Sequence, residues 1–301
     1  MLKMDGIAAF VAVVDAGSIS GAGRALGLSK SVVSERLAEL ERLMDARLLN
    51  RTTRHLALTE DGESLLPRAR RILGETEEAM AEAAARRGQL SGRLRISGPV
   101  SFGTLHLGPA LHAFLREHPA IELSLELEDR FVDIAGEGFD AVVRHGPAGD
   151  GWLIATRLAP SRRLLVASPD YLARNGEPRS LAELGAHRAI LYSNRAQDWS
   201  FRGPDGPVIL RPRGAMRVNH GIMMRDAALA GLGITLLPSF IAHDAIRAGA
   251  LRVLDVGARA EGADVYIIHR GEGGSAKLRA LIRHLRHHFG VPPHWERDLP
   301  A

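Results

Sequence analysis

The chain has 301 residues, of which 46% are apolar and 25% charged, so it is long enough for two domains that each bury a core. It contains no cysteine, which excludes disulfides, thiolate metal sites and a cysteine nucleophile and is typical of a reducing cytosol. The 39 basic and 35 acidic residues leave a net charge of +4, which by itself supports nucleic-acid binding only weakly.

The first apolar run, residues 7–14, predicts a core-facing helix rather than a signal peptide. Ile7, Phe10, Val11 and Val14 recur at helical spacing, and an aspartate lies on either side of the run. No later stretch reaches the length of a transmembrane span. We therefore expect no membrane partner and a cytoplasmic protein.

Residues 18–54 predict a helix-turn-helix followed by a two-stranded wing. Ser20 is the predicted N-cap of a short helix that ends at Leu26, and Gly27 supplies the turn. Ser29 is the predicted N-cap of the second helix, whose apolar stripe would face inward. That stripe comprises Val33, Leu37, Leu40 and Met44.

The opposite face of the second helix is short and polar, as it must be if side chains are to reach base edges in the major groove. Two short apolar segments, 48–49 and 56–58, flank a basic turn that would meet phosphates or the minor groove. Glu35 either reads a base or is a solvated glutamate outside the groove. The predicted DNA contacts are Ser29, Lys30, Ser31, Ser34, Glu35, Arg51, Thr52, Thr53 and Arg54.

A long helix is predicted next, capped by Thr59, acidic in its first turn and running to about Gln89. Pro67 can bend it near its start. One face carries a heptad seam, which favours dimerisation, although packing on its own domain is the alternative. The seam comprises Leu66, Ala69, Leu73, Thr76, Met80 and Ala83.

Beyond a hinge at residues 87–92, short β runs alternate with helices. Alternation of this kind predicts open, largely parallel sheets, and two sheets fit the length better than one. Residues 121–127 alternate apolar and polar side chains, as a half-exposed strand does. Further strands are predicted at 94–96, 141–144, 164–167, 189–192, 234–237 and 265–268, and helices at 103–118, 221–230 and 240–248.

Ligands of open α/β sheets bind beyond the carboxyl ends of strands, where helix N-termini offer free amides. Several segments occupy such positions, and their basic residues favour a small anion or carboxylate. Each serine or asparagine could instead be a simple helix cap, and Arg144 could pair with Glu126. The predicted ligand contacts are Pro99, Val100, Ser101, Phe102, Gly103, Thr104, Arg144, His145, Gly146, Ser193, Asn194, Asn219 and His220.

No pattern in the sequence predicts a catalytic, cofactor or metal site. The glycines near Gly21 miss the dinucleotide-binding pattern, and no G-x-S-x-G elbow surrounds Ser101. His284, His287 and His288 share a helix face at a spacing that could hold zinc, but no fourth ligand is evident.

The stretch SISGAGRALGLSKSVVSERLAELE, the RTTR turn and LTEDGESLLPRARRIL together resemble the N-terminal domain of LysR-type transcriptional regulators, with Gly23 where that family usually has alanine. RLRISGPVSFG, EGFDAVVRHGP and ALAGLGITLLPSF resemble the effector-binding domain of the same family, so the likeness covers nearly the whole chain.

The resemblance implies an α/β chain with three parts. An all-α winged helix-turn-helix would occupy residues 1–58, a dimerising linker helix and hinge 59–91, and a two-lobed α/β effector domain 92–301. The effector domain would be built like a type 2 periplasmic binding protein. Its lobe I would comprise about residues 92–161 and 265–290, and its lobe II about residues 162–264.

The same resemblance implies a transcription factor that binds double-stranded DNA at an interrupted palindromic operator, senses a small molecule between its lobes and assembles as a dimer of dimers. An enzyme that turns over its ligand is the alternative from another class, but no general acid/base pair or cofactor motif supports it. A solute-binding module for transport would need export, and no signal peptide is evident.

Overall fold

The computed structural model describes residues 3–51, 56–85, 90–134, 136–146, 153–194, 199–203, 206–271 and 274–299. The chain divides into two compact units. The N-terminal unit comprises Met1–Gly92 with Ala135–Gly138, and the C-terminal unit comprises Arg93–Ile134 with Phe139–Ala301.

The N-terminal unit is a helical bundle with a small wing. Its elements are α1 (Met4–Ala16), α2 (Ile19–Leu26), α3 (Lys30–Met44), β1 (Leu49–Arg51), β2 (Leu56–Leu58) and α4 (Glu60–Ala85). Phe10, Val13 and Ala22 form its centre with the predicted stripe of α3. Val33, Leu37 and Leu40 of that stripe are buried as predicted. The prediction for Met44 is wrong, because this last residue of α3 is 37% exposed.

The caps of the helix-turn-helix differ in one place from the prediction. Ser18, not Ser20, caps α2, because its hydroxyl accepts a hydrogen bond from the Gly21 amide at 3.0 Å. Ser29 caps α3 as predicted, with its hydroxyl 3.3 Å from the Val32 amide. Gly23 lies in α2 where the turn packs against it, since a β-carbon there would lie 2.8 Å from the Leu28 carbonyl oxygen.

The described residues of the C-terminal unit form two five-stranded sheets and one three-stranded sheet. The first lobe is built on the sheet β4-β3-β5-β15-β6, with β3 at Gly92–Gly98, β4 at Ile121–Leu127, β5 at Ala141–His145, β6 at Leu153–Ala159 and β15 at Val265–Arg270. The second lobe is built on β11-β8-β12-β7-β13, with β7 at Arg163–Ala167, β8 at Arg188–Tyr192, β11 at Arg213–Val218, β12 at Ile234–Pro238 and β13 at Arg252–Val253. The small sheet joins β9 (Trp199–Gly203) to β10 (Gly206–Leu210) and β14 (Arg259–Ala260).

The prediction of largely parallel sheets is wrong. Strands β3 and β5 are parallel, and so are β8, β11 and β12, but β15 runs antiparallel to β5 and β6, and β7 runs antiparallel to β12 and β13. The physical reason is the chain path. Strand β7 enters the second sheet directly from β6 of the first, and β15 returns to the first sheet, so each arrives without the helical crossover that makes neighbours parallel.

Helices cover these sheets. The helical segment predicted at 103–118 begins earlier, as α5 (Val100–Phe102), a π turn (Gly103–Leu107) and α6 (Gly108–Glu117). The others are α7 (Pro169–Asn175), α8 (Leu181–Leu184), α9 (Gly221–Leu229), α10 (Ser239–Arg247) and α11 (Ala276–Phe289), followed by a 3-10 turn (His294–Glu296). Helix α11 packs on α6 and β6 of the first lobe.

None of the described helices is by itself long and apolar enough to cross a membrane. Helices α1 and α2 satisfy that test only as a pair bent by 118°.

Two glycines of α4 give opposite predictions for substitution by alanine. A β-carbon at Gly62 would lie 2.1 Å from the Leu48 carbonyl oxygen, whereas at Gly74 it would meet nothing within 4 Å. Gly62→Ala should therefore lower the free energy of unfolding by about 3 kcal/mol through overpacking. Gly74→Ala should raise it by about 0.5–1 kcal/mol, because helical glycine is entropically unfavourable.

Urea unfolding followed by far-UV circular dichroism measures both changes. Equal effects of the two substitutions would contradict the close approach of α4 to residue 48.

Candidate DNA-binding surface and effector site

Helix α3 has one face in the core and the other in solvent. Lys30, Ser31 and Glu35 are exposed and Ser34 is half-buried, on the side opposite Val33 and Leu37. The hydroxyls of Ser29 and Ser31 lie 2.8 Å apart, so the two serines form a polar pair at the start of the helix. This arrangement presents the predicted base-reading residues on one continuous surface.

The wing is fixed to α3 by a carboxylate. Glu41 accepts hydrogen bonds from the amides of Leu48 at 2.9 Å and Leu49 at 3.3 Å, at the start of β1. Strands β1 and β2 pair antiparallel with Arg51 opposite Leu56. The recognition helix and the base of the wing therefore keep a fixed geometry, which a composite DNA surface needs.

The tip of the wing lies outside the described residues. Thr52, Thr53 and Arg54 belong to it, and the side chain of Arg51 is also outside. The described basic residues of α3 are partly occupied elsewhere, because Arg36 pairs with Asp5 at 3.0 Å. Lys3 donates to Glu39, and that hydrogen bond is the main reason why the pKa of Glu39 is lowered.

The predicted dimerisation seam on α4 is divided by the fold. Ala69 is fully buried in the core of its own unit, so its prediction as a partner contact is wrong. Leu66 and Leu73 pack partly on the same core. The Thr76 hydroxyl donates to the Ile72 carbonyl at 3.0 Å and is therefore satisfied within its own helix. Met80 is 70% exposed, so among the described seam residues it is the apolar side chain most available to a partner. Ala83 has no described side chain.

Two parts of the predicted ligand set, one from each lobe, come together at Ser101. A β-carbon at Gly221 would lie 3.1 Å from the Ser101 hydroxyl oxygen and 2.4 Å from Ile241 of α10. Ser101 is 6% exposed and has no hydrogen-bond partner among the described residues. The first turn of α9 and a buried hydroxyl of the other lobe therefore face each other at close range.

Helix α9 begins without a side-chain cap. His220 is its N-cap residue, and its side chain makes no capping hydrogen bond. The His220 Nδ1 atom is buried and has no hydrogen-bond partner among the described residues. The Ser193 amide donates to the Val218 carbonyl at 3.0 Å, which places Ser193 and Asn194 beside Asn219 at the same strand ends. Amides at the start of α9 are thus left for a ligand.

The N-terminus of α5 differs, because it is already capped. Asp129 accepts a hydrogen bond from the Val100 amide at 3.1 Å, and the neighbouring Phe102 and Gly103 are buried. Pro99 precedes this turn, and the Thr104 hydroxyl donates to the Val100 carbonyl at 2.9 Å. No pattern in the sequence indicates Asp129 as a cap, because its partner Val100 lies 29 positions earlier in the chain.

Arg144 holds a loop of its own lobe. Its guanidinium donates to the carbonyls of Arg130 at 2.9 Å and Glu128 at 3.4 Å. The alternative pairing with Glu126 is wrong, because that carboxylate accepts from Arg95 at 2.7 Å. His145 packs edge-on against Phe240, 5.5 Å between ring centroids, and Gly146 donates its amide to the Asp264 carbonyl.

The three histidines of α11 do not converge. His284 contacts the Ala110 carbonyl through Nε2 at 3.0 Å and stacks on His288 at 5.8 Å between centroids. Among the described residues, no three His, Cys, Asp or Glu side chains form a group that could hold a metal ion.

Comparisons with known proteins agree with this two-part organisation. Residues 4–63 match the bacterial regulatory helix-turn-helix protein family of the LysR type, and residues 87–290 match the LysR substrate binding domain. The transcriptional regulator PtxR of Pseudomonas aeruginosa is 34% identical over 97% of this chain and 95% of its own length. DmlR of Escherichia coli is 33% identical over 93% of this chain and 92% of its own.

Solved structures give the same result. CrgA, a LysR-type transcriptional regulator from Neisseria meningitidis, superposes with a TM-score of 0.61 at 29% identity, over 93% of this chain and 98% of its own. The full-length virulence activator AphB of Vibrio cholerae has a TM-score of 0.59 at 27% identity, over 95% of this chain and 98% of its own. The chain belongs to the LysR family of transcriptional regulators, with an N-terminal DNA-binding domain and a C-terminal effector-binding domain.

Proposed function

We propose that the effector of this regulator is a small anion, such as a carboxylate, bound at the first turn of α9 beside Ser101. One observation carries the proposal. A hydroxyl that is 6% exposed and without a partner among the described residues faces the start of a nine-residue helix that no side chain caps. Free amides and the helix dipole at such a start favour negative charge.

Neighbouring groups extend the site on the side of the second lobe. Asn219 and Ser193 can donate hydrogen bonds to a carboxylate, and His220 offers a buried ring nitrogen at the same turn. Arg144 is used mainly to fix the loop after β4, so we assign it to the rim rather than to direct contact. His145 and Gly146 complete the opposite edge.

On DNA, we infer that α3 enters the major groove, with Ser34 and Glu35 nearest the base edges and Lys30 near phosphate. Arg51, Thr52, Thr53 and Arg54 of the wing would contact the adjacent backbone. Membership of the LysR family supports a dimer of dimers on an interrupted palindromic operator. We therefore propose that the protein is cytoplasmic, because bacterial DNA lies in the cytoplasm.

Sensing would reach DNA through quaternary structure. An anion that touches both lobes stabilises one opening of the cleft, and the lobes follow directly on α4, the helix proposed to set the spacing of DNA-binding units. The effect on transcription is then limited by the effector's differential affinity for the two arrangements. The output would be a changed DNA bend more than a changed affinity.

The effector site is tested with a thermal-shift panel of small carboxylates. A ligand at a hundred times its dissociation constant should stabilise the wild type by about 2.7 kcal/mol. Ser101→Ala should weaken binding about tenfold, because one hydrogen bond to a charged group is lost. Ser124→Ala, an exposed serine on β4, is the matched control and should bind like the wild type. Equal affinities of all three proteins would exclude Ser101 from the site.

The DNA surface is tested by the dependence of binding on salt. Arg51→Ala should weaken binding to every sequence and lower the salt slope by about one unit, since one phosphate contact is lost. Ser34→Ala should instead relax base preference at one position. Arg179→Ala, an exposed arginine of the other unit, is the control. An unchanged slope for Arg51→Ala, measured by fluorescence anisotropy at several salt concentrations, would show that the wing does not contact DNA.

The partner contact of α4 is tested by two charge substitutions. Met80→Glu should separate protomers without loss of helicity, because Met80 is 70% exposed and contributes little to its own core. Leu73→Glu should instead lower the free energy of unfolding of the N-terminal unit, because Leu73 packs partly on that core and a charge there loses apolar contact. Sedimentation with circular dichroism distinguishes these outcomes. A Met80→Glu variant that sediments like the wild type would move the interface elsewhere.

A further inference from the structure

The described chain ends near a junction between the two lobes of the C-terminal unit. Residues 293–296, here called the strap, contact the crossover from β6 to β7 and the start of α10. The Trp295 indole donates to the Pro160 carbonyl at 3.1 Å, and Glu296 binds Arg162 and Ser239. The strap thus contacts one crossing of the chain between the lobes, at residues 160–162, and the first residue of a second-lobe helix.

The aromatic part of the strap is built into the junction. Trp295 is fully buried, and its ring lies edge-on to Phe102 at 5.7 Å between centroids and tilted against Phe289 at 5.2 Å. Phe102 in turn packs edge-on against Phe240 of the second lobe at 5.1 Å. Removal of the strap would therefore expose apolar surface from both lobes.

The polar part of the strap is one carboxylate with three donors. Glu296 accepts from the Arg162 amide at 2.8 Å, from the Arg162 guanidinium at 2.7 Å and from the Ser239 hydroxyl at 2.5 Å. Its side chain is 8% exposed. Charge-assisted bonds of a buried group are strong when the charge is well paired, and here both carboxylate oxygens accept hydrogen bonds, Oε1 from two donors and Oε2 from one.

Two histidines close the edge of this junction and limit the number of protons it can hold. His106 Nε2 lies 2.9 Å from the Phe240 carbonyl, which can only accept, so that nitrogen carries a hydrogen. His106 Nδ1 lies 3.0 Å from His294 Nε2, and only one hydrogen fits between them. If both rings are protonated, two N–H groups point at each other and the contact is lost.

We propose that the strap holds the two lobes at a fixed opening, and that acid releases it through the His106–His294 contact. The proposal goes beyond the effector site, because none of the strap's polar contacts belongs to the residues assigned to the effector. Effector and acid would then act on the same movement of the lobes by separate routes.

The surroundings of the pair favour neutral rings at pH 7. Burial lowers the pKa of His106 to about 4 and also lowers the pKa of His294, whose ring is more exposed. The hydrogen bond to the Phe240 carbonyl and the charge of Asp244 act to raise the pKa of His106, whereas His294 and His243 act to lower it. For His294, nearby histidines and Arg297 lower the pKa further, and Asp244 opposes them. The titratable and charged groups facing the pair are His243 and Asp244 of α10, Glu296 and Arg297 at the strap, Arg162 of the crossover, His288 of α11 and, across Phe240, His145 of β5.

The sign of the response follows from linkage. A histidine released into water regains its ordinary pKa of 6.5, above its pKa in the closed junction. Opening therefore takes up protons and becomes more favourable as the pH falls below 6.5, until the closed form also protonates at about pH 4. His106 alone should increase the opening equilibrium about tenfold between pH values of about 7.5 and about 5.5.

A single cysteine reports opening of the strap, because the natural chain contains none. Ser161→Cys places a thiol between Pro160 and Arg162, at a position that is 2% exposed. Its reaction rate with a methanethiosulfonate reagent, divided by the rate for the urea-unfolded chain at the same pH, gives the opening equilibrium. We expect this ratio to rise about tenfold from about pH 7.5 to about pH 5.5.

The histidines are tested by a double substitution in the Ser161→Cys background. His106→Gln with His294→Gln keeps a donor and an acceptor on each side chain but removes the titration, so the pH dependence should disappear. His112→Gln with His287→Gln, two exposed histidines of α6 and α11, is the matched control and should keep it. The labelling ratio of each variant is compared at two pH values. A variant whose cysteine is labelled faster at both pH values therefore still shows whether labelling depends on pH.

The carboxylate is tested at neutral pH. Glu296→Gln should increase the opening equilibrium about tenfold or more, because a charge-assisted bond becomes a neutral one. Glu261→Gln, at an exposed position, should leave it unchanged. A wild-type ratio that does not vary with pH, or a Glu296→Gln variant that labels like the wild type, would overturn the proposal. Ser101→Ala should retain the pH dependence, so failure of the effector site and failure of the strap are distinguishable.

Discussion

The edge-on contact between Phe102 and Phe240, with ring centroids 5.1 Å apart, is the interaction on which the C-terminal unit depends. Phe102 belongs to α5 of the first lobe and Phe240 to α10 of the second, and both are almost fully buried. Such a pair is worth about 0.5–1.5 kcal/mol beyond the area it buries. The contact also fixes the positions of the two preceding residues. Ser101 is assigned to the proposed effector site, and Ser239 donates a hydrogen bond to Glu296 of the strap.

The N-terminal unit depends on a different constraint, which is that one helix must serve two environments. Val33, Leu37 and Leu40 bury one side of α3, and Glu41 satisfies two amides at the base of the wing. Lys30, Ser31 and Glu35 on the other side of α3 are exposed to solvent. Because the buried residues fix the position of α3, its exposed face can contact a DNA groove with little further loss of conformational entropy. A small unit therefore suffices to position base-reading side chains.

Most helices and strands could be predicted from residues that are close together in the sequence. Contacts between residues far apart in the chain could not be predicted in this way. The stripe of α3, the cap at Ser29 and the strand at 121–127 follow from neighbouring residues, and the structure contains each of them. Ala69 fitted a heptad seam equally well, but its burial depends on α1 to α3, which no spacing along α4 reveals. Strand direction, the Asp129 cap and the strap contacts likewise join residues far apart in the chain. Among the candidate site residues, the positions of Ser101 and Asn219 beyond strand ends follow from the sequence, whereas the carbonyl contacts of Arg144 do not.

The arrangement of the junction restricts how regulation can work. Ser101 precedes Phe102 in the chain, and Phe102 contacts Trp295 of the strap, so the proposed effector site lies next to a residue that packs on the strap. A packed aromatic cluster responds by changing between discrete arrangements, since its density leaves no room for gradual adjustment. Effector binding and protonation would both act on the equilibrium between the open and closed arrangements of this cluster. Neither can shift that equilibrium by more than the difference between its binding free energies for the two arrangements. An effector that closes the lobes would therefore have to offset the protons taken up on opening, and its apparent affinity should fall as the pH falls below 6.5, in step with the opening equilibrium.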